Sequence, residues 1–324
     1  MASPLDGARE LVRRAWASAR QRRGRPGYHS RFGGLWTDRL DAARVLEERR
    51  ASGALSREDA GRLAFWMEHG FWIEKGAVPI DVVERVKAEL VALANDRRAP
   101  PLVEIAGRYE RMDPELSREH VKLVDAYARS QAALEAAFSQ SIRRFLQLLF
   151  EDDALLFQSL SFERGSEQPV HQDTAYVVVS PPLAFAAAWI ALEDVREGAG
   201  ELVYYPGSHR LADHLFGGAQ KNWNRERHGL GEQERFHAEL LAHCAARGLA
   251  PATFLPQRGD VLFWSADLAH GGVPIRDPRL TRRSLVCHYC PAPARPYYFH
   301  YLPERRRIRE FAPGSRYSSS HYEL

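Results

Sequence analysis

From Leu155 to Pro291 the chain passes through six short segments rich in β-branched, aromatic and apolar residues: LLFQSLSFERG, VHQDTAYVVVS, FAAAWIALEDV, GELVYYPGSHR, GDVLFWSADLAHGG and RRSLVCHYCP. Glycine and proline turns separate them. Short β-runs spaced in this way predict an antiparallel sandwich or jelly roll. The chain before them has a different period. GFWIEKGAV predicts a strand, and PIDVVERVKAELVALAND carries Val83, Val86, Leu90 and Leu93 on one helical face with Asp81 in the first turn. Leu134, Phe138, Ile142, Phe145 and Leu149 predict a second long helix within Tyr127 to Phe150. Helices first and strands after point to an α+β domain in which N-terminal helices buttress a double sheet.

The 324 residues suffice for one large domain or two ordinary ones, and 45% hydrophobic content supplies a substantial core. No apolar run reaches the length of a membrane helix, so no transmembrane segment is expected. The start, MASPLDGARE, has no apolar stretch of the leader type, which makes a cytoplasmic protein the expectation. Three cysteines cannot build a disulfide framework. Cys287 and Cys290 form a CxxC, but at an offset of three on a strand they face opposite ways, so they do not predict zinc.

The net charge of +3 is a local excess, and no nucleic-acid partner is expected from it. Arg13, Arg14, Arg20, Arg22, Arg23, Arg25 and Arg31 crowd a stretch in which Ala8, Leu11, Val12, Ala15, Trp16 and Ala19 recur at helical spacing. A basic amphipathic helix for an anionic surface would look like this. So would a solvated helix packed through Trp16, which is the reading adopted. The glycines and prolines of RQRRGRPGYHSRFGG break the pattern. The expected division is an accessory basic segment over 1–60, a main domain over 61–300 and a C-terminal tail over 301–324.

In PVHQDTAY, His171 and Asp173 stand two residues apart, so on a strand they share a face while Gln172 points away. Such a pair can bind a metal, work as acid and base, or hydrogen-bond to each other. His270, at the end of GDVLFWSADLAH and beside two glycines, adds a second imidazole with room around it. Two histidines and one carboxylate can hold an octahedral ion by one face and leave three positions open, the facial triad of non-haem iron(II) enzymes. Twelve residues past His270 comes Arg282 on the next β-run; if it points inward, Ser284, Val286 and His288 do too. A buried arginine needs an anion, and its planar fork matches a carboxylate.

These segments resemble the phytanoyl-CoA dioxygenase family of iron(II)- and 2-oxoglutarate-dependent oxygenases over roughly residues 70 to 292. PVHQDTAY looks like the family's HQD strand, AAWIALEDVREGAGELVYYPGSHR like its tryptophan strand and following turn, and GDVLFWSADLAHGG with TRRSLVCHY like its distal-histidine and arginine strands. The resemblance implies a double-stranded β-helix core of the jelly-roll, cupin-like type. It implies His171, Asp173 and His270 as ligands of Fe(II), and Arg282, rather than the outward-facing Arg283, as partner of the distal carboxylate of 2-oxoglutarate. It places Trp189 near that co-substrate and gives Gln158 a weaker match to a polar contact. His209, in PGSHR, reads as part of a turn. Gly272 stands where the family often has serine.

The implied activity is hydroxylation of a small-molecule metabolite, consuming O2 and turning 2-oxoglutarate into succinate and CO2. Desaturation, epimerisation or halogenation on the same fold are alternatives, as is a catalytically silent metal-binding or sensor domain. Halogenation needs an open position where the carboxylate would be, and Asp173 is present. A long irregular stretch between Arg210 and Gly259 is a candidate lid. Within it Trp223 lies among Lys221, Asn222, Asn224, Arg225 and Arg227, which suits a polar or anionic substrate. Trp223 and Arg225 are the expected substrate contacts there, with Tyr176 on the opposite side of the mouth.

Overall fold

The computed structural model describes residues 27–105, 107–113, 121–305 and 307–324. The Arg-rich helix expected around Trp16 lies outside them.

Helix α1 (Ala42–Ala51), α2 (Arg57–His69), strand β1 (Phe71–Glu74) and α3 (Ile80–Ala94) come first. Ser56 caps α2 by accepting from the Asp59 amide at 3.0 Å, and Gly70 closes it at φ 77°, a left-handed residue that suits glycine. Strands β2 (Leu102–Ile105), β3 (Arg108–Arg111) and β4 (Lys122–Val124) follow, a small antiparallel addition that the sequence pattern did not suggest. The single helix expected up to Phe150 is two, α4 (Gln131–Ala137) and α5 (Gln140–Phe150). Ser139, extended at φ −54° and ψ 157°, interrupts them. The i, i+4 pattern survives the break because Leu134, Phe138, Ile142, Phe145 and Leu149 all enter one core.

The second half supplies β5 (Ala154–Phe162), β6 (Val179–Ser180), β7 (Ala186–Ala191), β8 (Leu202–Tyr204), helix α6 (Arg225–Ala246), β9 (Ala252–Phe254), β10 (Val261–Ser265), β11 (His270–Gly272) and β12 (Ser284–Pro291). The short β13 (Arg295–Pro296), α7 (Tyr298–Tyr301), β14 (Arg309–Ala312) and β15 (Ser315–Tyr317) complete the chain. The major sheet has the order β1-β10-β7-β12-β5-β4-β2-β3, and a smaller sheet, β11-β8-β9, faces it. Together they form the double-stranded β-helix, with the helices on its outer side.

Strand alternation divides the core in two. Outward, Ala188, Ile190, Phe263, Leu285, Cys287 and Tyr289 pack against Trp66 of α2, Val83 of α3 and Phe145 of α5. Inward, Trp189, Leu262, Trp264 and Val286 meet Leu202, Tyr204 and Phe254 of the smaller sheet. Cys287 lies in the outer cluster, whereas Cys290 packs with Leu155, Phe157 and Phe185. The two thiols therefore do face different ways, and both are free.

Two boundaries expected from the sequence need correction. The division at residue 60 cuts α2, and Trp36, Val45 and Leu46 are buried in the core that α3 and α5 share, so residues 36–60 are built into the main body. The segment expected as a tail is tied in as well, since β15 pairs in parallel with β5, Ser315 opposite Ala154. No helix among the described residues is long and apolar enough to cross a membrane.

Candidate metal centre

PVHQDTAY is not a strand. His171 makes an isolated antiparallel bridge with His270, and Asp173 opens a 3-10 turn, Asp173–Ala175. The bridge has two backbone hydrogen bonds, each histidine amide donating to the other's carbonyl, at 2.8 and 2.9 Å. It places the two imidazoles side by side, with ring centroids 4.5 Å apart. GDVLFWSADLAHGG is likewise two strands. A turn over 266–269 carries the chain from β10 in the major sheet to β11 in the smaller one, so His270 starts a strand instead of ending one. Both departures have one cause: the ligands lie where the chain changes sheet, and there hydrogen bonding to side chains replaces the regular ladder.

Those side chains can be named. Gln172 does turn away from the metal side, and its amide nitrogen donates to the Asp267 carbonyl at 2.8 Å. Thr174 donates to the Asp267 carboxylate. Lys221, from the segment leading to α6, bridges Asp267 at 2.7 Å and Asp213 at 2.9 Å. Burial alone would push the Lys221 ammonium down, but Asp267 and Asp213 outweigh it and raise its pKa. The residues between the ligands thus clamp the two ligand-bearing turns together.

The ligand atoms converge. His171 Nε2 lies 3.7 Å and His270 Nε2 3.6 Å from Asp173 Oδ1, and all three donor atoms fall within 4.8 Å of one another. Both rings have their Nδ1–H committed, His171 donating to the Pro169 carbonyl at 2.7 Å and His270 to the Leu268 carbonyl at 2.9 Å. That tautomer leaves each Nε2 lone pair aimed at the cluster, the orientation a metal requires. Burial pushes His270 down to about 4, against the pull of Asp173, so its imidazole is neutral at neutral pH. Burial works to raise the Asp173 carboxyl, but His270, His171 and His288 hold it well below the usual carboxylate range. Two imidazoles with Nε2 turned inward and one carboxylate are a donor set that fits a divalent ion such as Fe(II).

Close approach of the 167–170 backbone demands glycine at 271 and favours it at 272. A Cβ at Gly271 would lie 2.8 Å from the Gln168 carbonyl oxygen, and one at Gly272 3.0 Å from the Glu167 amide. A serine at 272 would need the Glu167 backbone to give by a few tenths of an ångström, a crowding that favours the glycine found there.

Arg282 enters the inner face just before β12 and is 2% exposed. Its Nη1 donates to the Gly200 carbonyl at 3.0 Å, its Nε has no partner, and the described residues offer it no carboxylate within ion-pair distance. Burial lowers its pKa to about 10, with Glu201 opposing. Its guanidinium carbon lies 5.7 Å from the Trp189 ring and 5.8 Å from the Phe162 ring, and the Trp189 indole N–H is also buried and unpartnered. Both the Arg282 Nε and the Trp189 indole N–H are donors buried on the inner wall without an acceptor, and such groups could receive an anion. Gln158 stands opposite His288 in register, on the same face. Arg283 faces out and pairs with Glu163 at 3.2 Å. His209 sits in the turn Ser208–Arg210, within hydrogen-bond reach of the Met67 carbonyl and apart from the cluster.

Tyr176 stands at the rim, its ring edge-on to His171 at 5.5 Å. Its hydroxyl accepts from Gln233 at 2.9 Å and meets His237 Nε2 at 2.8 Å, both on α6. Trp223 lies 6.2 Å from Tyr176, donates from its amide to the Ala175 carbonyl and from its indole to the Gly229 carbonyl. Of its polar neighbours, Lys221 is consumed by two carboxylates and Asn224 caps α6, while Arg225 and Arg227 are exposed. Two close partners of the cluster escaped the sequence reading. Trp264 Nε1 donates to Asp173 Oδ2 at 2.7 Å, and His288 Nε2 lies 3.2 Å from the same oxygen. Strand parity put His288 on the inner face, but nothing in the sequence connected either residue to Asp173.

Comparison with known proteins agrees with this geometry. The phytanoyl-CoA dioxygenase (PhyH) family model matches residues 66–284. Peroxisomal phytanoyl-CoA dioxygenase of Mus musculus is 21% identical over an aligned stretch of 240 residues that covers 69% of this chain and 66% of that protein. The match therefore spans just under two thirds of that relative. Among solved structures, the epimerase SnoN from nogalamycin biosynthesis, in complex with Fe3+, alpha ketoglutarate and nogalamycin RO, superposes with a TM-score of 0.55 at 20% identity, covering 76% of this chain and 89% of SnoN. The carbocyclase SnoK of the same biosynthesis gives 0.55 at 18% identity, covering 78% and 92%. At such identities the superpositions speak for the fold. The family match, spanning the distal histidine, the arginine and every strand between, shows that the chain belongs to the phytanoyl-CoA dioxygenase family.

Proposed function

We propose that the protein is an Fe(II)- and 2-oxoglutarate-dependent dioxygenase that hydroxylates a small polar or anionic metabolite, using O2 and releasing succinate and CO2. The observation that carries this reading is the pairing, inside one double sheet, of a tautomer-fixed His171–Asp173–His270 cluster with a buried arginine that has no carboxylate of the described residues within ion-pair distance. Iron with its co-substrate would supply the oxidising chemistry. The chain's own part is to bind, orient and exclude water. Arg282 would grip the distal carboxylate of 2-oxoglutarate with its fork, Trp189 would donate or pack beside it, and Gln158 would border the same wall. Tyr176, Trp223 and the exposed Arg225 would face the substrate, on the side where α6 covers the rim. Three free, buried cysteines are compatible with work in the cytoplasm.

The test is oxygen-dependent succinate formation by protein reconstituted with Fe(II) and 2-oxoglutarate. Absence of succinate from protein that holds iron would favour a silent metal-binding domain. Once a substrate is found, a product carrying one added oxygen distinguishes hydroxylation from epimerisation or desaturation.

The rim residues have a separable signature. Trp223→Ala should lower substrate turnover while iron content and slow uncoupled succinate formation persist, because the cluster and Arg282 are untouched. Arg225→Ala should weaken the apparent affinity for an anionic substrate and leave a neutral one unaffected. Unchanged kinetics in both variants would make this segment scaffold.

A further inference from the structure

The two oxygens of Asp173 have different surroundings. Oδ1 faces both histidine Nε2 atoms, at 3.7 and 3.6 Å. Oδ2 is 2.7 Å from the Trp264 indole nitrogen and 3.2 Å from His288 Nε2. All three side chains are buried, Asp173 at 5% exposure, Trp264 at 2% and His288 at 3%. An indole N–H can only donate. His288 can meet a carboxylate oxygen only by donating from Nε2, and its Nδ1 has no partner.

We propose that Trp264 and His288 hold Oδ2 away from the metal, so that Asp173 binds through one oxygen. This inference rests on the metal reading given above. Its purpose is arithmetic. A facial triad leaves three positions on an octahedral ion. A 2-oxoglutarate bound through two of its oxygens would take two of them, which would leave one for O2. If Asp173 bound through both oxygens it would occupy that third position. Two donors on Oδ2 oppose that: turning it to the metal would strand a buried indole N–H and a buried imidazole N–H without an acceptor. Trp264 and His288 are thus positioning residues. They also come from different strands, β10 and β12, and β7 runs between these, presenting the small Ala187 opposite both His288 and Trp264.

The amide of glutamine places its nitrogen where histidine carries Nε2, and that of asparagine places it where histidine carries Nδ1. His288→Gln should therefore keep the hydrogen bond to Oδ2, and His288→Asn should lose it. The experiment titrates Co(II) into metal-free wild-type and variant protein, reading affinity and the visible absorption of the bound ion, with thermal unfolding of the metal-free forms alongside. The expected result is a His288→Asn affinity about 10–100-fold below wild type with an altered spectrum. His288→Gln should stay close to wild type in both, and Trp264→Phe should follow His288→Asn. Equal behaviour of His288→Gln and His288→Asn, whether both fall or neither does, would overturn the clamp. Failure of the wild-type protein to bind Co(II) would instead overturn the metal reading beneath it.

Discussion

With Asp173 replaced by alanine the protein is expected to lose stoichiometric iron and, with it, oxygen-dependent succinate formation. The carboxylate is the cluster's only negative group, set between two imidazoles whose own protons are spent on the Pro169 and Leu268 carbonyls. Without it a divalent ion would meet only the two imidazole nitrogens of the cluster. The loss extends further, because the Trp264 indole and the His288 imidazole would both be left buried without an acceptor. Iron content after reconstitution and succinate release under oxygen measure the two consequences separately. Wild-type rates of succinate formation from Asp173→Ala would show that the cluster is misassigned. A glutamate at the same place should be a partial substitute at best: its extra methylene would carry the carboxylate past both the histidines and the two donors on Oδ2.

Much of this was legible in the sequence because alternation on a strand is simple geometry. From Arg282 into β12 it groups Arg282, Val286 and His288 on one face and Arg283 on the other, which is where they lie. What failed was the assumption that the ligand-bearing segments are strands. His171 and Asp173 do share a side, yet through a bridge followed by a 3-10 turn, held by Gln172 and Thr174 on Asp267. Such turns take their shape from distant side chains, 93 and 95 residues away in these two bonds, so no local pattern announces them. The same limit hid Trp264. Its indole reads as one more inward-facing aromatic until Asp173 is placed beneath it.

The stretch between Arg210 and Gly259 presents a group of cations around Trp223, and the structure divides them. Lys221 is no surface charge available to a substrate: it is 5% exposed and bonded to Asp213 and Asp267, tying this stretch to the turn that precedes His270. Arg225 remains exposed. Sequence proximity groups residues that tertiary structure separates, one holding the ligand turns and one facing solvent.

Arg282→Ala should raise the apparent 2-oxoglutarate requirement by well over tenfold, and Arg283→Ala far less. The difference follows from their surroundings. Arg282 is buried, retains unpartnered donor capacity at Nε and has only a backbone carbonyl at Nη1, so a carboxylate placed there would be met by a desolvated, pre-oriented fork. Removing one member of such a buried pair costs about 2–5 kcal/mol, and each 1.4 kcal/mol is about tenfold in affinity. Arg283 is two-thirds covered but open to solvent at 35% side-chain exposure, and its pairing with Glu163 and Glu193 belongs to the class of surface ion pairs worth about 0–1 kcal/mol. Arg282→Lys separates charge from shape. It keeps the cation but loses the planar fork, and lysine in a site this dry tends to shed its proton, so its requirement should fall between wild type and alanine. Succinate formation measured against 2-oxoglutarate concentration at saturating iron gives the ranking. A larger effect from Arg283 than from Arg282 would mean that the co-substrate binds on the outer side of β12, and the inner wall of Trp189, Phe162 and Arg282 would need another occupant.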